Sequence, residues 1–449
     1  MKSVQGPRAL DRGWSSAGAR TPRSASDWAH SLLLGVMTLS MVVVYEETLG
    51  DIPYWVLLTG GVILAPAVLV RSISGGFKSC GNRRDHSVSM SVRILRVLWV
   101  FIVISWAIGL GVGLGNGYER IAIMRNFFGF TVYALMLALL VLKPSVPGLV
   151  KSLIVGGVSQ ILVALFVIVT EGVSIDLSGA LSISEFRALY SVGFICIFPI
   201  ASSSLFLLLC PNAETIEGPM PSKARAVVKS PIFALVSIGA ALLPSMSKGF
   251  LLGAAALIAL HICTAIASAL HRKIMPTAVI VSVALVALGW TLMPAEANRL
   301  LLDSFSVSEQ SNATRHEQRS LILSETTLFG NGLGAPLRSG YARHSDGYGF
   351  ELTYFNLAHK LGVFMFPLIL SYLVTVGLAL SRMVRLKRPI EASLALGCML
   401  YLIPGIGNPI LLAPTMVVLH CAAMYLLIAS SAPIPGERLR DRRMGAAPA

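Results

Sequence analysis

The chain of 449 residues is 55% hydrophobic and only 13% charged, with a mean hydropathy of +0.74. A soluble globular protein of this length would not tolerate such a composition, so the sequence indicates a membrane protein. The net charge of +14 does not indicate nucleic-acid binding. Most basic residues fall in the tails and loops on one side of the predicted spans, so the positive-inside rule accounts for the charge and we expect no nucleic-acid partner.

Apolar runs recur along the chain, each long enough to cross a hydrocarbon core of about 30 Å as a helix. Backbone groups in lipid must be satisfied internally, and continuous apolar runs favour helices over barrel strands. We therefore predict an all-α polytopic membrane protein with about twelve transmembrane helices and both termini cytoplasmic. The predicted spans are 30–45, 54–72, 94–113, 126–142, 152–170, 188–209, 231–246, 249–270, 277–294, 354–380, 391–404 and 409–430.

The two ends of the chain are basic and lack an apolar run. We predict cytoplasmic tails over 1–29 and 431–449, with a retained first helix rather than a removed signal peptide. The transmembrane domain spans 30–430, and its longest polar interruption, 295–353, is predicted to be an external loop. Within the domain we expect the core to pack through the small residues of Gly249–Ala256 and Ser230–Gly239.

Cysteine and histidine spacing gives no sign of a disulfide framework or a metal site. None of the six cysteines lies in a predicted external loop, so no disulfide is expected. No His/Cys cluster has metal-ligand spacing. We therefore predict neither a metal nor a cofactor.

Two glycine-rich strings have similar sequences: Gly109–Gly117 after the third span and Gly330–Gly334 in the long loop. Neither follows a strand in a βαβ unit, so a dinucleotide site is not indicated. We predict that the first string packs helices closely and ends in an exposed turn. The second string carries Gly330, Gly332 and Gly334 beside two arginines, which makes it a candidate part of a site.

The long loop contains the pattern of a capping box, with Thr314 as N-cap and Glu317 three residues later. A helix from about Arg315 to Ser324 would place Arg315 and Arg319 one turn apart on the same face. Two guanidinium groups so arranged suit a phosphate or diphosphate. The alternative is a solvated interfacial helix whose arginines meet lipid headgroups or Glu317 and Glu325.

Other charged residues lie near predicted membrane boundaries. Arg187 stands at the mouth of the sixth span, where it either snorkels to the surface or binds an anion. Lys248 lies at the tight turn between spans seven and eight. His359 and Lys360 open the tenth span, and we predict that His359 is interfacial.

Taken together, these residues resemble the O-antigen ligase and O-antigen polymerase superfamily. The resemblance covers roughly Ser184–Pro367. Its ordered elements are an Arg-bearing loop before span six, Ser-Lys-Gly at span eight, Arg319 with ten residues before Gly330, a GxGxG string, His344, and a re-entering helix ending in Leu-Gly.

The resemblance implies a metal-independent glycosyltransferase of the bacterial inner membrane that acts at the periplasmic face. The donor would be an undecaprenyl-diphosphate-linked glycan, and the acceptor a second lipid-linked glycan or a lipid A core. Arg319, Arg315 and Arg187 would bind the diphosphate. His344, whose unperturbed pKa is about 6.5, is the first candidate base and Glu351 the second.

Two departures from the family pattern bear on the acceptor. Phe198 stands where some polymerases have a glycine eleven residues after the arginine, and His344 lacks the closely following Asn of ligases. The Arg319–Gly330 spacing and the missing Asn favour a polymerase, with a ligase as the alternative. A transporter or flippase for a lipid-linked or anionic solute is the second alternative, although the predicted spans carry few central charges.

Overall fold

The computed structural model describes residues 25–42, 52–71, 90–171, 194–210, 227–242, 248–272, 310–338, 352–407, 410–411 and 413–430. Within these ranges the protein is helical and has no strand. The α-helices are α1 (Ala25–Val42), α2 (Ile52–Arg71), α3 (Met90–Gly115), α4 (Arg120–Thr131), α5 (Ala134–Leu142), α6 (Val146–Glu171), α7 (Phe198–Leu209), α8 (Pro231–Leu242), α9 (Lys248–Arg272), α10 (Gln310–Glu325), α11 (Thr353–Leu361), α12 (Phe366–Val384), α13 (Pro389–Cys398) and α14 (Pro414–Ala429).

Six described helical segments are long and apolar enough to cross a membrane: Arg93–Gly115, Arg120–Leu142, Val146–Phe166, Gly249–Ser268, Thr353–Val384 and Pro389–Ile406. Shorter apolar helices cover Trp28–Val42, Thr59–Val70, Ile195–Leu209, Pro231–Ala241 and Pro414–Ala429. This confirms an all-helical architecture with several candidate spans. The number twelve stays a prediction, because the predicted span 277–294 lies outside the described residues.

Proline marks where several of these helices begin. The first turns of four helices contain a proline: Pro199 in α7, Pro367 in α12, Pro389 in α13 and Pro414 in α14. Proline is tolerated there because the first turn has no intrahelical acceptor for its missing N–H, and its fixed φ suits a helix. The positions of these four prolines in the sequence therefore indicate where four helices begin.

The centre of the bundle is formed by α13 and α14. Every residue of Pro389–Cys398 is buried, as is every residue of Pro414–Ile428. By contrast, α3 and α6 expose large apolar side chains such as Phe101 and Phe166, which is the pattern of a lipid-facing helix. A helix buried on all sides must be enclosed by others, so the outer helices surround this pair.

The expected packing through α8 and the start of α9 is only partly correct. In α8, Ala234 and Ala240 are buried, but Ile232 is exposed, and no atom of the described residues lies within 4 Å of a Cβ position on Gly239. Close glycine packing occurs instead between α13 and α7, where a Cβ on Gly397 would lie 2.5 Å from the Cα atom of Pro199. The sequence pattern therefore predicted close packing in the wrong helices of the bundle, α8 and α9 instead of α7 and α13.

Candidate functional site

The polar helix α10 docks on the bundle through one stripe of side chains. Arg315, Gln318, Arg319 and Ile322 follow the i, i+3, i+4, i+7 spacing of a single helix face. Gln318 and Ile322 are buried in that face. The two arginines predicted to share a face therefore do so, and that face is turned toward the protein.

Gln318 and Ile322 anchor the docked face. The Oε1 atom of Gln318 accepts a hydrogen bond of 3.3 Å from the backbone N–H of Leu352, immediately before α11. Ile322 packs with Leu337, and Phe355 of α11 lies against this small apolar cluster. Because the buried Leu352 N–H finds its acceptor in α10, the two helices are fixed in register.

Arg315 lies between α10 and the turn that precedes α14. It is half-buried, and its Nη1 donates a hydrogen bond of 3.4 Å to the Asn312 side-chain oxygen. A Cβ placed on Gly407 would lie 3.5 Å from the Arg315 Nε atom. The guanidinium group of Arg315 therefore packs alongside the backbone at residue 407.

Arg319 is held differently. Its guanidinium carbon lies 5.3 Å from the centre of the Phe355 ring, a cation–π contact. The side chain is otherwise exposed, and no carboxylate of the described residues forms a salt bridge with it. The Phe355 ring orients the guanidinium group of Arg319. No described residue accepts a hydrogen bond from the guanidinium N–H groups, which are the donors that an anion would need. The predicted alternative, in which Glu317 or Glu325 neutralises this arginine, is not seen among the described residues.

The helix that carries both arginines begins earlier than predicted. It starts at Gln310, so Thr314 lies inside α10 and is not its N-cap. The preceding residues Gln310–Asn312 are polar but compatible with a helix, and Ala313 is a strong helix former. The prediction of the capping box was therefore wrong, whereas the one-turn separation of the arginines was correct.

The glycine loop after α10 is tied to the bundle by its own backbone. The N–H groups of Asn331 and Gly332 donate to the carbonyls of His359 and Lys360, at 2.8 and 2.9 Å. The Leu333 N–H donates to the Gly109 carbonyl of α3, also at 2.9 Å. These amides are committed to protein acceptors, so the loop fastens α10 to α3 and α11 and does not present them to a ligand.

Steric constraints explain why three of these positions are glycine. Gly330, Gly332 and Gly334 all have positive φ, at 79°, 93° and 80°. A Cβ on Gly332 would lie 2.5 Å from the Gly113 backbone nitrogen. The two glycine strings singled out in the sequence therefore contact each other. The predicted close helix packing of Gly109–Gly117 is only partly correct, because Gly109 packs against Leu361 of α11 whereas Gly113 packs against the backbone of the glycine loop. The exposed turn at the end of the string is confirmed.

Asn331 joins three segments around this loop. Its side-chain nitrogen donates to the Glu325 carbonyl at 2.9 Å, and its own carbonyl accepts from the Asn116 side chain at 3.1 Å. The Glu325 carboxylate accepts the Arg338 backbone N–H at 2.5 Å. Glu325 thus closes the loop after α10.

His359 differs from the prediction of an interfacial side chain, because it is buried by protein atoms. It is 1% exposed, and the neighbouring Lys360 is 4% exposed. The Lys360 ammonium donates to the Ala335 carbonyl at 3.3 Å, which ties α11 to the far end of the glycine loop. The prediction failed because the loop folds over the start of the tenth predicted span and covers it.

Sequence reasoning missed four contributors to this region: Gln318, Phe355, Lys360 and Gly407. The spacing of Gln318 and Ile322 from the arginines was a usable signal for a docked face. No sequence signal links Gly407 to Arg315, because 92 residues separate them along the chain.

Several predicted site residues lie outside the described part of the chain. They are Arg187, His344 and Glu351. Within the described ranges, no group of three His, Cys, Asp or Glu side chains is placed to hold a metal ion. What the described residues provide is a cationic face, held by α11 and by the turn before α14, that is chemically suited to a phosphate group.

No protein-family model matches this chain, and no curated protein matches its sequence.

Proposed function

We propose that this protein is a membrane glycosyltransferase that polymerises undecaprenyl-diphosphate-linked glycan repeat units at the periplasmic face of the bacterial inner membrane. The observation that carries the proposal is the position of Arg315 and Arg319. They lie one turn apart on the docked face of α10, and no described carboxylate pairs with Arg319. Such a pair matches the charge and geometry of a diphosphate.

The reaction requires a group that stabilises negative charge. The acceptor hydroxyl oxygen attacks the anomeric carbon of the donor sugar, and the bond from that carbon to the diphosphate oxygen breaks. The electron pair leaves with the undecaprenyl diphosphate, while the hydroxyl proton passes to a base. Arg319 and Arg315 would hold the diphosphate and stabilise the charge that develops as it leaves.

The remaining roles rest on the family resemblance. His344 is the proposed base, with Glu351 as its alternative, and Arg187 adds a third positive charge to the donor site. All three belong to predicted external segments. The membrane location of the donor suits a protein with several apolar helices of spanning length, because the undecaprenyl chain stays in the bilayer.

A topology experiment tests the premise that the arginine face is periplasmic. A reporter that is active only outside the cytoplasm, fused at Gln310, is expected to be active. The same reporter fused at Asn82 or Arg385 is expected to be inactive. The reverse pattern would overturn the periplasmic site and every role assigned to it.

Substitution of Arg319 tests its chemical role. In a deletion strain complemented with Arg319→Ala, we expect polymerised glycan to fall about 100-fold or more while the protein still reaches the membrane. Arg319→Lys should restore little, because an ammonium does not reproduce the planar fork.

The matched control is Arg338→Ala, which removes the same charge from an exposed side chain outside the docked face. It should leave the glycan profile near that of the wild type. Equal activity of the wild type and both Arg319 variants would assign Arg319 to a solvated helix face.

The ligase reading differs only in the acceptor, which would be a lipid A core. Loss of a polymerase leaves single lipid-linked repeat units, whereas loss of a ligase leaves long lipid-linked polymers. The lipid-linked intermediates of a deletion strain therefore distinguish the two.

Transport of a lipid-linked or anionic solute is a second candidate, favoured by one specific observation. Buried polar side chains lie deep among the apolar helices, including His261 and His420. Intramembrane ionisable groups often mark transport pathways. Movement of labelled lipid-linked substrate across proteoliposomes without any change in its glycan would support this candidate over the glycosyltransferase.

A further inference from the structure

A groove lies between α3 and α12 on the surface of the described bundle, and none of its lining residues belongs to the arginine face. Its volume is about 570 Å³, which falls in the usual range of ligand pockets, about 300–1,000 Å³. Eight of the nine residues that line it are apolar, and the ninth is Arg93. The groove therefore combines apolar walls with a single charged side chain.

The walls of the groove are accessible from outside the described bundle. On α3, Val97 is 52% exposed, and on α12, Phe366 is 59% exposed. Phe101 and Leu370, which also line the groove, are exposed large apolar residues as well. In a helix of membrane-spanning length such side chains face lipid, so an acyl chain can enter the groove from the bilayer.

Arg93 brings a positive charge to this groove. Its side chain is exposed, and no described carboxylate forms a salt bridge with it. Neither α3 nor α12 contains an acidic residue. An arginine at a lipid-facing surface is costly unless it reaches the headgroup layer or meets an anion. The groove therefore lacks an anion that its own two helices do not supply.

A second arginine strengthens the positive charge at this end of α3. Arg96 lies three residues after Arg93, about one helical turn along the same helix. Its buried Nε atom meets no hydrogen-bond partner among the described residues. Two guanidinium groups without a described carboxylate partner thus lie at the same end of the helix.

The order of these residues along α3 matches the order of groups in a phospholipid. Arg93 is the first residue of the candidate span Arg93–Gly115. Phe101 comes eight residues later, which is about 12 Å along a helix. A phosphate at Arg93 would lie at the membrane boundary, and its acyl chain would extend past Val97 and Phe101 toward the bilayer centre.

We propose that this groove binds one anionic phospholipid, with its phosphate on Arg93 and an acyl chain along Val97, Phe101 and Phe366. The planar guanidinium group donates two parallel hydrogen bonds to a phosphate. The apolar walls suit an acyl chain and give a free phosphate ion nothing to bind. A zwitterionic lipid would bring a cationic group to a groove that already contains Arg93 and has no acidic lining residue.

The lipid would contact both helices that form the groove, so its binding would stabilise the packing of α3 against α12. This site uses none of the residues assigned to glycosyl transfer. The proposal is therefore independent of the proposed function and is tested by lipid binding alone.

The experiment is native mass spectrometry of the purified full-length protein in detergent, with phosphatidylglycerol and phosphatidylcholine of identical acyl chains added in equal amounts. One phosphatidylglycerol should remain bound about 10-fold more often than phosphatidylcholine, the ratio that one charge-assisted hydrogen bond provides. Equal retention of the two lipids would overturn the proposal.

Arg93→Gln tests the phosphate contact. Retention of phosphatidylglycerol should fall about 10-fold, to the level of phosphatidylcholine. The matched control is Arg385→Gln, which removes the same charge from an exposed side chain that does not line the groove. An equal loss in both variants would show general attraction between basic residues and anionic lipid, and would contradict a site at the groove.

Val97→Phe tests the acyl chain, because a larger side chain fills the groove and leaves Arg93 in place. Retention of phosphatidylglycerol should fall several-fold. Val100→Phe, at an exposed residue of α3 outside the groove, should leave it unchanged. Equal effects of the two variants, or displacement of the lipid by an excess of inorganic phosphate, would show that the groove does not hold an acyl chain and would overturn the proposal.

Discussion

Two regions of the molecule are held in place by different interactions. In the outer region, which comprises α10, the glycine loop 326–338 and α11, backbone groups of one segment bond to backbone groups of another. In the inner region, α13 and α14 are buried along almost their whole length among apolar side chains. The comparison teaches that this chain positions its charged face through main-chain hydrogen bonds and builds its centre by side-chain packing.

Polar side chains differ in whether their hydrogen bonds stay within one helix or join two segments. On α12, two buried hydroxyls bond within their own helix: Ser371 donates to the Leu368 carbonyl and Thr375 to the Ser371 carbonyl, both at 2.6 Å. In the outer region Gln318 and Lys360 bond to other segments. On α14, the hydroxyls of Thr415 and Tyr425 also bond to other segments, at the Ser40 and Pro144 carbonyls. Polar groups therefore join segments in both regions, whereas the intrahelical hydroxyls of α12 contribute little to tertiary order.

The largest effect is expected from Gly332→Ala. The substitution forces a side chain onto a residue with φ of 93° and places Cβ 2.5 Å from the Gly113 nitrogen. We expect a loss of about 3 kcal/mol in stability, or failure to purify a monodisperse protein. The measurement is thermal unfolding in detergent.

Gly377→Ala is the control for this substitution. Gly377 lies within α12, and within the described part of the chain no atom comes within 4 Å of its Cβ position. Alanine should leave stability unchanged or raise it by up to about 1 kcal/mol. If Gly332→Ala behaves like Gly377→Ala, the glycine loop does not fasten the outer region.

A smaller effect is expected from Gln318→Leu. The variant leaves the buried Leu352 N–H without its acceptor, which should cost about 2 kcal/mol and loosen α10 from α11. Limited proteolysis of the 310–338 region should accelerate together with the loss of thermal stability. Glu317→Gln, on the exposed face of the same turn, should change stability by less than about 0.5 kcal/mol. Equal behaviour of the two variants would mean that α10 is not docked through Gln318.

Tyr133→Phe should have a lesser effect, of about 1 kcal/mol, because it removes one hydroxyl that bonds across segments to His420. Tyr425→Phe removes a comparable bond to Pro144 and should cost a similar amount. Thermal unfolding of the two variants side by side measures both values. A cost above about 3 kcal/mol for either would show that polar bonds hold the inner region more strongly than packing does.

The smallest effect is expected from Thr375→Val. The hydroxyl bonds only within α12, and its removal takes no bond from a neighbouring helix. Stability should change by about 0.5 kcal/mol or less, since intrahelical bonds of this kind add little. A large loss would show that this intrahelical bond contributes to the tertiary order of the bundle.

The sequence predicted the helices well for a physical reason. A helix in lipid needs a long apolar run, and that run is visible without any knowledge of tertiary contacts. The relation between Arg315 and Arg319 was also predictable, because it depends only on the helical repeat. Both are local properties of the chain.

What the sequence did not reveal depends on contacts between distant segments. Lys360 resembles an interfacial lysine until the loop that covers it is known. The central position of α14 was hidden because lipid-facing and buried helices are equally apolar, so hydropathy does not distinguish them. The start of α10 was misjudged because Thr314 matches a capping pattern that a longer polar helix also contains.

The central claim is that the arginine face of α10 serves glycosyl transfer from a lipid diphosphate. The most direct test supplies purified protein with an undecaprenyl-diphosphate-linked repeat unit as the sole substrate. The account predicts a ladder of longer lipid-linked products from the wild type and none from Arg319→Ala. Transfer that occurs only once lipid A core is added would establish the ligase instead. No transfer under either condition, or an undiminished ladder from Arg319→Ala, would contradict the assigned site.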